Sequence, residues 1–259
     1  TALNGLQLHL NPGDFVTVIG GNGAGKSTML NAIAGTWLVD EGSIIIDGVD
    51  VTKLSEHKRA KYLGRVFQDP MTGTAANMQI EENLALASRR GKKRTLKAGI
   101  TAKEREYYKE QLKILDLGLE NRMTAKVGLL SGGQRQALTL LMATLEKPKL
   151  LLLDEHTAAL DPKTAAKVLE ATDKIVAKDN LTTIMITHNR RPRNTETFHK
   201  VDQSLEGGTF VVEFTEHVVA GEQDQIRLGG IDGLAEIFEA PFLERHREFD
   251  KIMANNQIE

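Results

Sequence analysis

The sequence predicts an α/β fold with a mainly parallel sheet, an N-terminal antiparallel β flank and an inserted helical subdomain. Strand and helix signals alternate at residues 15–34 and again at 150–187, as a doubly wound parallel sheet requires. Residues 150–153 are four consecutive leucines, which is typical of a strand buried on both faces of a sheet. Between these two regions, the apolar residues of 80–145 follow helical spacing.

Turn residues bound the first part of the core, which we assign to residues 1–79. A turn at 11–14 precedes the strand 15–19, and a glycine-rich loop leads into a helix at 26–34 that Gly35 closes. A short strand at 43–47 and a turn at 47–50 supply the β flank.

Capping signals mark the helices of the remaining segments. Thr101 and Glu104 form a capping box in the helical subdomain, residues 80–145, which ends with a helix at 134–145. The core resumes over 146–200, where Asp161 and Pro162 open a helix ending near 178, and a strand follows at 181–187. Residues 201–259 are expected to hold a hairpin, with a strand at 209–214, and further helices.

Composition narrows the possible functions. A net charge of −2 and a pI of about 6.4 argue against a protein that coats nucleic acid. The absence of cysteine excludes disulfides, thiolate metal sites and a cysteine nucleophile, and is compatible with a reducing cytosol. No run approaches the roughly 18–20 apolar residues of a membrane span, and no signal-peptide pattern opens the sequence. We therefore expect membrane contact only through a partner.

Residues 20–27 read G-G-N-G-A-G-K-S and satisfy the phosphate-loop pattern G-x-x-x-x-G-K-[ST] between a strand and a helix. The glycines let backbone N–H groups surround phosphates, Lys26 bridges the β- and γ-phosphates, and Ser27 ligates Mg²⁺. A plain glycine-rich turn is the alternative, which the flanking strand and helix disfavour.

Two acids follow the leucine strand, at the sheet edge where α/β folds bind ligands. Asp154 suits the Mg²⁺ shell, and Glu155 is placed to orient and polarise an attacking water. Structural carboxylates are also common at strand ends. Without the phosphate loop, the pair would be equally consistent with solvated carboxylates that cap the strand and take no part in catalysis.

Residues 130–134 read L-S-G-G-Q and open a helix, so they form a second potential anion site. One nucleotide does not need two such sites from one chain. We infer that this site faces the nucleotide of another protomer.

With these motifs in this order, the chain resembles the ATP-binding cassette (ABC) ATPases over about residues 3–189. The matching segments are the Walker A loop at 20–27, the Q-loop glutamine Gln68, the signature at 130–134, Walker B at 150–155, the D-loop at 159–161 and the switch histidine His188. Alone, Gln68 would read as a loop residue and His188 as a structural one.

The resemblance implies ATP and Mg²⁺ as cofactors and a role for each matching residue. The catalytic set is Glu155, His188 and Gln68, and the Mg²⁺ ligands are Ser27, Gln68 and Asp154. The nucleotide-binding set is Asn22, Gly23, Ala24, Gly25, Lys26, Ser27, Thr28, Ser131, Gly132, Gly133, Gln134 and Asp161, of which Asp161 links the two sites of a dimer.

The resemblance extends to a branch of bacterial transport ATPases that work with a separate permease and a substrate-binding protein. It implies an ATPase subunit at the cytoplasmic face of the membrane, paired as a homodimer, that powers import of a small solute, with an amino acid as the candidate. Nucleic acid is not an expected partner. The alternatives are a soluble ABC ATPase for cofactor assembly or repair, and a nucleotide-gated module without hydrolysis, against which Glu155 argues.

Three features lie outside this pattern. The family's adenine-stacking aromatic is expected upstream of residue 1, and R-R-P-R-N at 190–194 replaces an expected helix-forming stretch. The basic run 89–94 is most typical of a solvent-exposed face. Contact with a permease or an anionic lipid surface is the second alternative, and contact with nucleic acid is the last.

Overall fold

The computed structural model describes residues 3, 6–20, 22–92 and 99–187, and the backbone of a strand at 209–214. In chain order, the elements of these residues are β1 (Phe15–Gly20), α1 (Lys26–Ala34), β2 (Ile45–Ile46), β3 (Val49–Asp50), α2 (Glu56–Arg59), β4 (Leu63–Val66), α3 (Ile80–Ala87), α4 (Ala102–Lys113), two 3₁₀ turns (Leu119–Asn121 and Val127–Leu129), α5 (Gly132–Thr144), β5 (Leu150–Asp154), α6 (Pro162–Asp179), β6 (Thr183–Thr187) and β7 (Thr209–Phe214).

The main sheet has the strand order β4-β5-β6-β1-β7, and every neighbouring pair is parallel. β2 and β3 form a separate antiparallel pair. The predicted fold class, a mainly parallel sheet with a β flank and helices, is therefore confirmed.

The parallel arrangement brings the carboxyl ends of four strands to one edge of the sheet. Asp154 at the end of β5 pairs with Ile186 of β6, and Ile186 pairs with Val18 of β1. On the other side of β5, Leu153 pairs with Val66 at the end of β4. The loops that follow β4 and β5 consequently start side by side, and the loop that follows β1 starts on the other side of β6 at the same edge.

The leucine run of β5 is buried on both faces, as predicted. Leu151 and Leu153 pack with side chains of α3, α4, α5 and α6, whereas Leu150 and Leu152 pack on the α1 side. Side chains alternate between the faces of a strand, so each pair of leucines contributes to a different core cluster. The sheet therefore lies between two apolar cores, one on each face.

Several predicted boundaries shift. The strand expected at 43–47 contains only Ile45–Ile46, and the expected turn at 47–50 includes β3. Asp47 and Gly48 both have positive φ, 52° and 74°, and consecutive left-handed residues form the tight turn that joins two antiparallel strands. The strand at 209–214 is confirmed and lies parallel to β1. The first arm of the expected hairpin and the helices expected after residue 214 lie outside the described residues.

Helix caps agree with the sequence. Thr101 and Glu104 form the capping box of α4, with the Thr101 N–H donating to Glu104 Oε2 at 2.7 Å and the Glu104 N–H to Thr101 Oγ1 at 3.2 Å. Asp161 caps α6, and Asn180 ends that helix in the left-handed conformation, φ 46°.

Part of the basic run folds back onto the protein. The guanidinium of Arg90 donates to the Ala143 carbonyl at the end of α5, at 2.8 Å, and burial lowers the pKa of Arg90. Lys92 pairs with Glu146 at 2.6 Å. Arg90 therefore contacts the last turn of α5 and Lys92 contacts the segment that follows it, which the expectation of a solvated face did not include.

Within the described parts of the chain, no helix is both long and apolar enough to cross a bilayer.

Candidate nucleotide-binding site

The phosphate loop joins β1 to α1 through glycines in a left-handed conformation. Gly23 has φ 84° and Gly25 has φ 88°. A Cβ on Gly23 would meet no atom within 4 Å, so the backbone conformation, and not space, requires glycine there. Gly21 lies outside the described residues.

The loop presents a helix N-terminus to the sheet edge. Gly25 occupies the N-cap position of α1 and offers no side chain to cap it, so the positive end of the helix dipole is suited to an anion. The Lys26 side chain is buried, and its Nζ donates to the Gly20 carbonyl at 2.6 Å. Asn22, Gly23 and Ser27 are exposed. The ammonium is therefore held at the base of the loop that it is expected to serve.

Glu155 follows β5 in an unusual backbone conformation. Its φ is 47°, which is uncommon for a residue with a side chain, and such conformations persist only where surrounding contacts maintain them. Its N–H donates to the Ile186 carbonyl at 3.2 Å, and its carbonyl accepts from the Ala158 N–H at 2.9 Å. The backbone that carries this carboxylate is thus fixed by β6 on one side and by a tight turn on the other.

Asp154 has a neighbour that the sequence analysis did not identify. Arg65 of β4 donates from Nη2 to Asn31 Oδ1 of α1 at 2.8 Å and lies 3.5 Å from Asp154 Oδ2, while its guanidinium stacks on the Phe67 ring. Arg65 therefore connects the phosphate-loop helix to the Walker B strand. No local pattern marks this residue, because its partners are 34 and 89 positions away.

Gln68 follows β4 by two residues and is exposed. The carbonyl of the preceding residue, Phe67, accepts a hydrogen bond from Gln136 Nε2 of α5 at 3.0 Å. β6 ends at Thr187 on the same sheet edge, and His188 lies outside the described residues.

The signature segment forms the N-terminus of α5, which begins two residues before the expected 134. Ser131 is the N-cap, with its Oγ accepting from the Gln134 N–H at 3.3 Å and its own N–H donating to Gln134 Oε1 at 3.2 Å. A Cβ on Gly133 would lie only 1.9 Å from Thr164 Cγ2 of α6. Gly133 is therefore required for helix packing, a reason that the sequence pattern did not reveal.

The segment after Walker B holds one exposed and one buried polar group. Asp161 is exposed, and its Oδ1 accepts from the Thr164 N–H at 3.0 Å. Hydrogen bonding with the side chain of Thr164 and with its backbone N–H lowers the pKa of Asp161. His156 is fully buried, with Nε2 3.2 Å from Thr172 Oγ1, and burial lowers the pKa of its imidazole to about 4. Because the Thr172 hydroxyl donates to the Val168 carbonyl at 2.8 Å, the imidazole Nε2–H is the donor to Thr172.

Of the predicted site residues, the sheet edge collects Asn22 to Thr28, Gln68, Asp154 and Glu155. Ser131 to Gln134 and Asp161 lie together at the facing N-termini of α5 and α6, where Gly133 contacts Thr164. A cleft of ≈ 180 Å³ lies elsewhere, between α4, α5 and α6, and none of these residues lines it. The structure thus groups the motifs into two sets, one at the sheet edge and one at two helix ends.

Comparison with known proteins identifies the family of this chain. A family profile described as "ABC transporter" matches residues 3–158. The tyrosine transport ATP-binding protein of Clostridioides difficile is 48% identical over 189 residues, which cover 73% of this chain and 75% of that protein. The methionine import ATP-binding protein MetN of Bartonella henselae is 36% identical over 191 residues, covering 72% and 52% of the two chains.

Solved cassettes share the fold. The ATP-binding cassette MJ0796, a dimer in a post-hydrolysis state with ADP and Pi, aligns with a TM-score of 0.64 at 27% identity, covering 86% of this chain and 91% of that chain. MJ1267, a cassette of an ABC transporter in its ADP conformation, aligns with a TM-score of 0.64 at 25% identity, covering 82% and 81%. The chain therefore belongs to the ABC transporter family, as a nucleotide-binding subunit that binds and hydrolyses ATP.

Proposed function

We propose that this chain powers the import of an amino acid through separate permease subunits, at the cytoplasmic face of a bacterial membrane. The observation that carries the ATPase mechanism is the shared sheet edge, where the phosphate loop after β1 and the acids Asp154 and Glu155 at the end of β5 lie on either side of β6. The import assignment rests on the relatives, whose names specify tyrosine transport and methionine import.

The donors at the sheet edge suit Mg²⁺. Among the residues that the structure describes, no three His, Asp or Glu side chains cluster as a protein-only metal cage. Mg²⁺ beside a nucleotide needs few protein ligands, because phosphates and waters complete its octahedron. We propose the Ser27 hydroxyl, the Asp154 carboxylate and the Gln68 amide oxygen as those ligands. Bound Mg²⁺ would neutralise charge on the phosphates.

Each remaining residue of the sheet edge has a proposed role. The Lys26 ammonium donates to the Gly20 carbonyl in the structure, and we propose that it binds the β- and γ-phosphates when nucleotide is present. Glu155, with its fixed backbone, accepts a proton from the attacking water as general base. His188 contacts the γ-phosphate in this proposal, on motif position alone. The family's loop residues Asn22, Gly23, Ala24, Gly25 and Thr28 bind the phosphates through their backbone and side-chain donors.

The second set of motifs completes the site of a partner copy. Ser131, Gly132, Gly133, Gln134 and Asp161 form it, at the N-termini of two adjoining helices. Two helix N-termini create a positive potential that favours an anion, and a two-fold pairing would place it over the partner's phosphate loop. We therefore propose a homodimer with two composite sites.

The permease contact is assigned to the loop after Gln68, where Met71 is 58% exposed. A substrate-binding protein acts through the permease, and nucleic acid is not a partner.

We also propose the division into a core at 1–79 and 146–200, a helical subdomain at 80–145 and a C-terminal region at 201–259.

Co-expression with candidate permease genes from the same genome tests this function. Reconstituted in liposomes with the permease and its binding protein, the complex should show ATP hydrolysis stimulated by one amino acid and uptake of that amino acid. A protein that hydrolyses ATP but copurifies with cofactor-assembly proteins and no membrane subunit would contradict the transport assignment and support the soluble alternative.

A further inference from the structure

Arg65 of β4 lies next to the proposed Mg²⁺ site, on the face of the sheet that packs against α1. In the strand register it pairs with Leu152 of β5, two residues before Asp154. Paired residues share a face of the sheet, and so do residues two apart on one strand, so Arg65, Leu152 and Asp154 lie on the same face. Leu152 belongs to the apolar core on the α1 side. The Arg65 side chain therefore lies between the Walker B strand and the phosphate-loop helix.

Three contacts hold its guanidinium in one orientation. Nη2 donates to Asn31 Oδ1 at 2.8 Å and lies 3.5 Å from Asp154 Oδ2, and the guanidinium carbon lies 4.7 Å from the centre of the Phe67 ring. The side chains of Arg65 and Asp154 are only 14% and 17% exposed. Because water is largely excluded, the attraction between these two charges is screened less than it would be at the surface.

Asn31 connects the same guanidinium to a second proposed Mg²⁺ ligand. Ser27 and Asn31 are four residues apart on α1, so they lie on one face of the helix, about one turn apart. The bond from Arg65 to Asn31 therefore restrains the turn of α1 that follows Ser27. One arginine thus contacts Asp154 directly and reaches the turn that carries Ser27 through one intermediate side chain.

We infer that Arg65 is a positioning residue for the two Mg²⁺ ligands Asp154 and Ser27. Its contact with Oδ2 restrains rotation of the Asp154 carboxylate, and its bond to Asn31 maintains the separation of α1 and β5. Groups that orient metal ligands in this way raise metal affinity without touching the metal. The positive charge of Arg65 also repels Mg²⁺, and we expect the gain from orientation to exceed this repulsion. The inference rests on the proposed roles of Ser27 and Asp154.

Two variants break the connection from opposite ends. Arg65→Met keeps an unbranched side chain against Phe67 and removes both polar contacts. It also removes Arg65 Nε, which is buried without a hydrogen-bond partner among the described residues, so the fold should tolerate the change. Asn31→Ala removes the acceptor on α1 and leaves the charge of Arg65 in place. Arg90→Met is the matched control, because Arg90 is also a partly buried arginine that bonds another element, at the Ala143 carbonyl near the C-terminal end of α5.

The effect of Mg²⁺ on ATP binding gives the direct readout. The dissociation constant for ATP is measured by equilibrium titration of the full-length chain in EDTA and in Mg²⁺, in a Glu155→Gln background so that ATP persists. The ratio of the two constants is the enhancement of ATP affinity by the metal. Arg65→Met and Asn31→Ala should each lower this ratio at least about threefold while leaving the constant in EDTA within about twofold of the parent chain. The double variant should lose no more than the larger single loss, because both changes break one connection.

Three results would overturn the inference. The parent ratio in either variant would mean that the contacts only join α1 to the sheet. A higher ratio in Arg65→Met would mean that repulsion of Mg²⁺ dominates. An equal loss in Arg90→Met would mean that the ratio follows general stability.

Asp154→Asn distinguishes failure of this inference from failure of the proposed ligand set. Loss of a direct ligand should lower the ratio whatever Arg65 does. If Asp154→Asn lowers the ratio and Arg65→Met does not, only the positioning role is wrong. If Asp154→Asn keeps the parent ratio, the assignment of Asp154 to Mg²⁺ is wrong, and the role of Arg65 is overturned with it.

Discussion

The buried imidazole of His156 links the stability of the Walker B region to pH. Burial lowers its pKa from 6.5 to about 4, whereas in the unfolded chain it returns to 6.5. Between these values the unfolded state binds one proton more, so stability falls as the pH falls from 6.5 toward 4. Midway between the two pKa values the slope approaches about 1.4 kcal/mol per pH unit, and the total loss from well above pH 6.5 to well below pH 4 is about 3.4 kcal/mol.

A partly buried carboxyl acts in the opposite direction. Burial, and to a lesser extent the charge of Glu170, raises the pKa of Asp173 from 3.8 to about 7. This carboxyl is protonated in the folded chain and ionised in the unfolded chain between those values, so its contribution to stability is lost as the pH rises. The two effects partly cancel in the free energy of unfolding of wild type as a function of pH. Only a comparison with a variant therefore isolates the contribution of His156.

We expect His156→Gln to reveal the effect, because glutamine keeps an N–H donor for Thr172 and does not titrate. The free energy of unfolding is measured by urea denaturation at pH 7.5, 6.5, 5.5 and 4.5, without nucleotide or Mg²⁺. Relative to the variant, wild type should lose about 2.2 kcal/mol between pH 6.5 and 4.5, because the unfolded-state imidazole is already half protonated at pH 6.5. Asp173 is present in both proteins and cancels. A wild-type minus variant difference that is independent of pH would refute the reasoning.

Three further predictions concern the motifs. Lys26→Ala should weaken ATP binding at least about tenfold in a titration, because it removes the cation facing the β- and γ-phosphates; unchanged affinity would exclude that role. Gly133→Ala should lower the free energy of unfolding by about 1–3 kcal/mol through its clash with Thr164, and Thr164→Ser in the same chain should restore much of the loss; equal loss in the double variant would exclude the clash. Ser131→Arg, in a Glu155→Gln background, should abolish ATP-induced dimers in sedimentation while leaving monomer binding of Mg-ATP intact, and persistent dimers would contradict the composite site.

Sequence patterns within a few residues predicted the helix ends that glycines and capping side chains determine. Helix α1 has the predicted bounds Lys26–Ala34, since glycines precede and close it, and the capping box at Thr101 and Glu104 forms as expected. The start of α5 moved because Ser131 caps the helix, which draws both glycines into its first turn.

Contacts between distant residues could not be predicted from such patterns. Arg65 reaches Asn31 and Asp154 across three elements, and Gln136 bonds a carbonyl 69 positions earlier. The sheet must be assembled before these pairs meet, and no spacing within one element encodes them. The same holds for Arg90, which read as part of a solvated basic run but bonds the Ala143 carbonyl.

The most direct test of the central claim is phosphate release by wild type and Glu155→Gln, measured beside ATP affinity in the same preparations. If Glu155 is the general base, the variant should bind ATP within about twofold of wild type, hydrolyse it at least about a hundredfold more slowly, and accumulate an ATP-bound dimer. Turnover near the wild-type rate in Glu155→Gln would contradict the account.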